Sequence, residues 1–257
     1  MSFLLSLLLA ATAAISGPLA QTNAPTYAQT YARGETLDYT LAWMKVTGGT
    51  ARMTIAPAGD SRYRITSVAR SGGGIARLFK VRDEIETTVD RSDFSTISYV
   101  KRLDERGDKM VETTTIDDGV ATRKRKKIKK IPVPRPVFDP ISVIYYFRTL
   151  DLAPGQSYEL TLISDGKLYT VHAHVLRREE VQTPAGTFST LLVEPQMASA
   201  GVQREERLFI WYSDDERHLP VRIRTEVKFG SVTATLKSVA SGVTSTDPPP
   251  MSRSQLQ

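Results

Sequence analysis

The chain contains no cysteine, which excludes disulfides, thiolate metal ligands, a thiol nucleophile and a lipid-modified N-terminal cysteine. It contains only three histidines, so few imidazoles are present for metal binding or acid-base chemistry. After residue 20 no apolar run is long enough to span a bilayer, and no glycine-rich phosphate loop occurs. Stability must therefore come from a large apolar core, for which 257 residues suffice.

Charge is also missing from the N-terminus. The first fifteen residues are mostly Leu and Ala and carry no charged side chain, and small residues follow them up to Ala20. This pattern is typical of the apolar region of a secretory signal peptide, and it is too short for a comfortable membrane span. We predict a signal peptide at residues 1–20, a short leader at 21–33, and export to the periplasm of a Gram-negative bacterium.

Positive charge is concentrated in one segment. The chain has 34 basic and 28 acidic residues, yet seven of the basic residues fall in the run RKRKKIKK at residues 123–130. Without these seven, 27 basic residues face 28 acidic ones, so the basicity is local. A nucleic-acid-binding domain usually spreads its cations over a face with interleaved aromatic residues, which this chain does not do.

Alternation of apolar and polar residues dominates from residue 34 to residue 240. Short runs rich in Thr, Val, Ile and Tyr are separated by turn signals at Thr47-Gly48-Gly49, Asp117-Asp118-Gly119, Asp165-Gly166 and Phe229-Gly230. The pattern predicts a mainly β fold: one domain at 34–240 with a large curved antiparallel sheet, an open half-barrel or two sheets. Residues 241–257 read as a disordered tail.

One segment departs from the strand pattern. Asp139 and Pro140 suit a helix start, and the apolar residues that follow fall at helical spacing, so we predict one short central helix at about 139–149. The basic arm and the proline-rich segment before it, together residues 123–137, are interpreted as an arm and an extended connector inside the domain.

Four segments in succession carry a resemblance to a known family. They are GETLDY at 34–39, FDPISVIYYFR at 138–148, VQTPAGTFSTLLVEP at 181–195 and IWYSDDERHLPVRIR at 210–224. In this order and spacing they resemble the DUF3108 family of exported bacterial proteins. The resemblance implies an envelope location and a β-rich body, and it supplies no catalytic residues. The basic run is not part of the resemblance.

The basic run has two interpretations. It protects a sheet edge from aggregation, or it binds an anionic partner such as a lipid, a glycolipid, an envelope polymer or the membrane surface. Nucleic acid is not expected as a partner of an exported protein. The candidate anion-binding residues are Arg123, Lys124, Arg125, Lys126, Lys127, Lys129 and Lys130.

Other candidate sites are weaker. His172 and His174 share one face of a predicted strand, but no third ligand is evident, so we predict no metal site. Asp214, Asp215 and Glu216 read as a polar turn before they read as acid-base residues. If the sheet curls, its concave face could form an apolar cavity with candidate residues Tyr39, Trp43, Tyr145 and Trp211.

The sequence favours a non-catalytic binding or carrier protein of the cell envelope, for a lipid-like or anionic ligand. Two alternatives stay open: a structural or scaffold protein that uses its basic arm for protein or membrane contact, and a hydrolase acting on an envelope polymer. No nucleophile or acid-base motif is recognisable, and neither a cofactor nor an oligomeric state is indicated.

Overall fold

The structure, a computed structural model, describes residues 30–73, 81–105, 108–199, 202–203, 206–228 and 230–242. The predicted signal peptide, most of the predicted leader and nearly all of the predicted tail lie outside these residues. Within the described ranges, no helix is long and apolar enough to cross a membrane.

In the part of the chain that the structure describes, fifteen strands form one antiparallel sheet, as the alternating sequence predicts. The strands are β1 (Glu35–Trp43), β2 (Val46–Pro57), β3 (Arg62–Ser71), β4 (Val81–Asp90), β5 (Thr96–Glu105), β6 (Asp108–Asp117), β7 (Val120–Lys124), β8 (Ile128–Pro132), β9 (Ser157–Ser164), β10 (Lys167–Thr183), β11 (Gly186–Ser199), β12 (Val202–Gln203), β13 (Arg207–Ser213), β14 (Pro220–Val227) and β15 (Gly230–Ser241).

The strand order runs β8-β7-β6-β5-β4-β3-β2-β1-β15-β14-β13-β11-β10-β9, with β12 paired to β11. The sheet is open, because its edge strands β8 and β9 do not pair with each other. The connector after β8 contacts strands far apart in this order. Phe138 forms a parallel bridge with Leu162 of β9, and the amide of Thr96 on β5 donates to the Val137 carbonyl at 2.8 Å. The fold class predicted from the sequence is confirmed.

The central helix α1 spans Ser142–Phe147, shorter than the predicted 139–149. Asp139 precedes it and accepts hydrogen bonds from the amides of Ile141 (2.8 Å) and Ser142 (3.1 Å). Two hydroxyls, those of Thr87 and Thr96, donate to the same carboxylate at 3.1 and 2.7 Å. Asp139 therefore binds the amides at the start of the helix and ties them to the sheet, whereas the N-cap residue itself is Ile141, two residues later than the sequence predicts.

Helix α1 packs against the sheet in one hydrophobic core. Tyr145 and Phe147 are fully buried, and the Tyr212 hydroxyl of β13 donates to the Ile144 carbonyl at 3.2 Å. Tyr31, in the helical turn at residues 30–33, is also fully buried, with its ring 5.8 Å from that of Tyr145. Burial of such aromatic side chains supplies much of the stability of a chain without disulfides.

Two of the predicted turns lie where the sequence places them, and the first hairpin turn does not. The turns at Asp117-Asp118-Gly119 and Asp165-Gly166 are confirmed, whereas the first hairpin turn lies at Met44 and Lys45 instead of Thr47-Gly48-Gly49. Met44 and Lys45 adopt positive φ angles of 49° and 89° and reverse the chain there. Gly49 lies inside β2, where a Cβ atom would approach the Arg70 carbonyl oxygen to 2.6 Å, so this glycine allows close strand packing.

Candidate functional site

The basic run forms the end of a hairpin at one edge of the sheet. Strands β7 and β8 pair from Val120↔Pro132 to Lys124↔Ile128, and the turn between them carries residues 125–127. We call residues 120–132 the cationic hairpin. Because side chains alternate across a strand, the pairing sorts the seven cations of the run into two groups.

Two of the seven cations point toward the body of the protein and anchor the hairpin. Arg123 and Lys129 are cross-strand partners. The Arg123 guanidinium donates to the buried Glu112 carboxylate at 2.5 Å, and the Lys129 ammonium donates to the Gly166 carbonyl at 2.7 Å. The hydrogen bond to Glu112 raises the pKa of Arg123, so this side chain stays charged. These two residues are part of the structure of the hairpin.

The turn between β9 and β10 completes this anchor. Gly166 has a φ of +72°, and a Cβ atom there would lie 2.6 Å from Arg123 Cδ, so the glycine permits close contact with the hairpin. Its neighbour Asp165 accepts a hydrogen bond of 2.8 Å from Lys101, whose side chain is buried. Asp165-Gly166 is recognisable as a turn from the sequence, but no local signal links it or Glu112 to the basic run.

The other five cations are exposed on the hairpin. They are Lys124, Arg125, Lys126, Lys127 and Lys130. None of their side chains forms an ion pair or a hydrogen bond with a residue that the structure describes. Five unpaired positive charges within seven consecutive residues produce a strong local potential, which is suited to binding phosphate or another polyanion.

The acidic turn predicted at residues 214–216 lies beside a cavity of about 570 Å³. Arg178 pairs with Asp214 at 2.7 Å, and Arg217 pairs with Asp215 at 2.7 Å. Burial alone would raise the pKa of Asp215, but hydrogen bonds from Ser213 and Arg217 outweigh this effect and lower it. Local partners therefore hold the Asp215 carboxylate ionised, as in an ordinary polar turn.

The three histidines differ in their immediate surroundings. Nδ1 of His172 is 3.5 Å from the Glu159 carboxylate, and Nδ1 of His174 is 2.8 Å from the Ser157 hydroxyl. His218 lies beside the 570 Å³ cavity, where burial lowers its pKa and favours the neutral imidazole. No group of three or more metal-ligating side chains occurs among the residues that the structure describes.

Of the four residues proposed for an apolar cavity, Tyr39, Tyr145 and Trp211 belong to one hydrophobic core, and Trp43 lies outside it. Tyr39 and Tyr145 are packed in the core around α1, and the Tyr39 hydroxyl donates to the Pro220 carbonyl at 3.0 Å. Trp211 packs against Phe209 and Arg222, and its indole N–H donates to Glu179. Trp43 lies at the end of β1, beside the turn between β14 and β15. The 570 Å³ cavity and another of about 480 Å³ are lined mainly by polar residues and by none of these four.

Solved structures resemble this fold at low sequence identity. A β-barrel-like protein with a DUF1849 domain from Brucella abortus matches with a TM-score of 0.59 and 11% identity, over 81% of this chain and 97% of that one. A protein with a YmcC-like fold from Bacteroides fragilis matches with a TM-score of only 0.32 and 13% identity, over 80% of this chain and 95% of that one. The first likeness supports the fold alone.

Sequence comparisons are more specific. A search of curated proteins found no match. The model of the family described as "Protein of unknown function (DUF3108)" matches residues 36–237, which is most of the chain and nearly all of the sheet. The matched region contains the cationic hairpin, helix α1 and the anchoring turn at Asp165-Gly166. This protein therefore belongs to the DUF3108 family.

Proposed function

We propose that this protein is a non-catalytic binding protein of the bacterial cell envelope, and that its cationic hairpin binds phosphate groups of an anionic envelope partner. The envelope location rests on the apolar, uncharged N-terminus and on the family resemblance noted in the sequence. The proposal for binding rests on one observation: five exposed cations lie on a hairpin that two further cations anchor to the body.

The number of exposed cations on the hairpin favours binding over edge protection alone. Edge strands are commonly protected by one or two lysines, a proline or a short length. Strand β8 is already only five residues long and ends in Pro132. Five unpaired cations exceed what such protection requires, and their mutual repulsion is relieved when an anion binds.

A carrier role has less support than surface binding. The aromatic side chains proposed for a cavity are in contact with helix α1 or with other side chains, as Tyr145 is with Tyr31. An apolar ligand would have to displace this packing, which is costly in a close-packed core. We therefore propose binding at the surface of the hairpin rather than inside the sheet.

Binding to vesicles tests the proposal. The variant changes Lys124, Arg125, Lys126, Lys127 and Lys130 to Gln and keeps both anchoring cations. The matched control changes five exposed cations elsewhere, Arg33, Arg62, Arg70, Lys167 and Lys237, to Gln and so removes the same net charge. Co-sedimentation is measured with phosphatidylglycerol vesicles and with phosphatidylcholine vesicles, and binding of inorganic polyphosphate is measured by titration, all over a series of salt concentrations.

We expect wild type and control to bind the anionic probes with an affinity that falls as salt rises. The hairpin variant should bind at least about tenfold more weakly, because each cation near an anionic surface contributes up to about 1 kcal/mol. Equal losses in variant and control would show a nonspecific charge effect and reject the proposal. Binding to the vesicles but not to polyphosphate would identify the lipid headgroup as the source of the phosphate.

A further inference from the structure

The outer face of the cationic hairpin and of the neighbouring strand β6 carries apolar side chains as well as charge. Glu112 of β6 points inward to Arg123, so its neighbours Val111 and Thr113 point outward. Thr113 pairs with Lys124, and Lys124 pairs with Ile128, which places all three on the same outer face. This face of β6 to β8 therefore combines two aliphatic side chains with lysines.

The two aliphatic side chains are unusually exposed. Ile128 is 66% exposed and Val111 is 58% exposed. Only six large apolar side chains are exposed among the residues that the structure describes, and Ile128 is the most exposed of them. An exposed isoleucine adds little hydrophobic stabilisation to the fold, so the position of Ile128 between lysines calls for an explanation.

Cations surround these two side chains. Val111 is the cross-strand partner of Arg102 on β5, and Ile128 is the partner of Lys124. Lys109 and Lys130 extend the same face, on which Asp104 pairs with Lys109 in register. Basic residues around exposed aliphatic side chains are typical of surfaces that lie in a membrane interface, where the cations contact headgroups and the aliphatic groups enter the acyl boundary.

We infer that the outer face of β6 to β8 docks on an anionic lipid bilayer, with Ile128 and Val111 entering the interface. This inference rests on the proposed function and specifies its partner. A protein partner fits less well, because the cores of protein interfaces are depleted in lysine and a stable interface needs about 800 Å² on each side. Two separate aliphatic groups among lysines offer little contiguous apolar area, but a fluid bilayer adapts to them.

The test removes the aliphatic groups and keeps every charge. The variant Ile128→Thr with Val111→Thr preserves β-branched side chains in both strands. The matched control, Leu176→Thr with Val239→Thr, changes two other aliphatic residues, each 40% exposed. Binding is measured to phosphatidylglycerol vesicles and, separately, to soluble inorganic polyphosphate.

We expect the variant to bind vesicles about tenfold more weakly than wild type, because the apolar contribution of two partly inserted side chains is lost. Its binding to polyphosphate should equal that of wild type, and the control should match wild type with both probes. Unchanged vesicle binding by the variant would overturn the inference and leave the proposed function intact. Failure of wild type to bind either probe would overturn both.

A reporter variant measures insertion directly. In Ile128→Trp the new indole should shift its emission to shorter wavelength when phosphatidylglycerol vesicles are added, and brominated lipids should quench it. Leu176→Trp is the control and should show neither effect. An Ile128→Trp variant that binds vesicles with unchanged emission would contradict insertion, since its indole would then remain in water.

Discussion

Positively charged side chains have opposite roles in two regions of this molecule, the core around α1 and the cationic hairpin. Arg148, at the end of α1, is 2% exposed and forms two hydrogen bonds with the buried Glu35 carboxylate, at 2.5 and 3.0 Å. It also donates to the Arg217 carbonyl at 3.1 Å, and its guanidinium lies 5.1 Å from the centre of the Tyr31 ring. The five exposed cations of the hairpin have no such partner among the described residues.

The difference shows that surroundings, rather than residue type, separate structural from functional charge here. A charge in the core must be paired, because removing one partner leaves the other desolvated. A charge on an exposed hairpin is solvated and contributes little to folding, so it remains available for binding. Arg123 and Lys129 are intermediate, since each has a partner that fixes the position of the hairpin.

The largest effect is expected from breaking the buried pair. Arg148→Met leaves the Glu35 carboxylate buried without its guanidinium, and we expect the free energy of unfolding to fall by about 3–5 kcal/mol. Urea denaturation followed by circular dichroism measures this. The double variant Glu35→Gln with Arg148→Met should recover part of the loss. A loss below about 1 kcal/mol in the single variant would show that the pair is not needed in the core.

A second prediction concerns Asp83, an inward carboxyl on β4 that is 1% exposed. Burial, and to a lesser extent Glu105, raises its pKa to about 7, and Lys101 opposes this only in part. The carboxyl of an unfolded Asp has a pKa of about 3.9. Between roughly pH 4 and 7 the folded state therefore binds a proton that the unfolded state does not. Asp83 therefore stabilises the fold fully below about pH 4, and this contribution is lost as pH rises through 7.

Asp83→Asn should remove this pH dependence. We expect the variant to be more stable than wild type by about 1 kcal/mol or more at pH 8, with a smaller difference at pH 5. Urea denaturation of both proteins at the two pH values measures it. A difference that does not change between pH 5 and pH 8 would contradict a raised pKa for Asp83.

A third prediction tests how closely the hairpin is anchored. Gly166→Ala and Gly155→Ala both introduce a Cβ atom at positive φ, but only the first meets a neighbour, Arg123 Cδ at 2.6 Å. We expect Gly166→Ala to reduce the free energy of unfolding by about 1 kcal/mol more than Gly155→Ala. Thermal or urea denaturation of the pair measures the difference. Equal losses would mean that the Arg123 side chain moves aside without cost.

The smallest effect on stability is expected from the exposed cations. Changing all five to Gln should alter the free energy of unfolding by no more than about 0.5 kcal/mol, because exposed charges without partners contribute little to folding. The comparison with Arg148→Met in the same denaturation assay then separates the two regions. A loss as large as that of Arg148→Met would show that these charges are structural and would remove the support for binding.

Much of the fold was predictable from local patterns. Alternation and the turns at Asp117-Asp118-Gly119 and Asp165-Gly166 predicted the antiparallel sheet, since each depends on neighbouring residues only. The first hairpin turn was misplaced because Gly48-Gly49 is a strong turn signal, whereas the turn at Met44 and Lys45 has no favoured turn residue. The helix was predicted too long at both ends, because Asp139 and Pro140 signal an earlier start and the apolar periodicity continues past Phe147.

The sequence by itself determined the family, the β-rich class and the local concentration of charge at residues 123–130. Only the tertiary structure decided which cations bind inward and which stay exposed, because that choice depends on the register of β6, β7 and β8. It also decided that Ile128 lies outward between lysines and that Tyr39 and Tyr145 belong to the core. A shift of one residue in that register would exchange the two faces of the hairpin, and no local pattern specifies it.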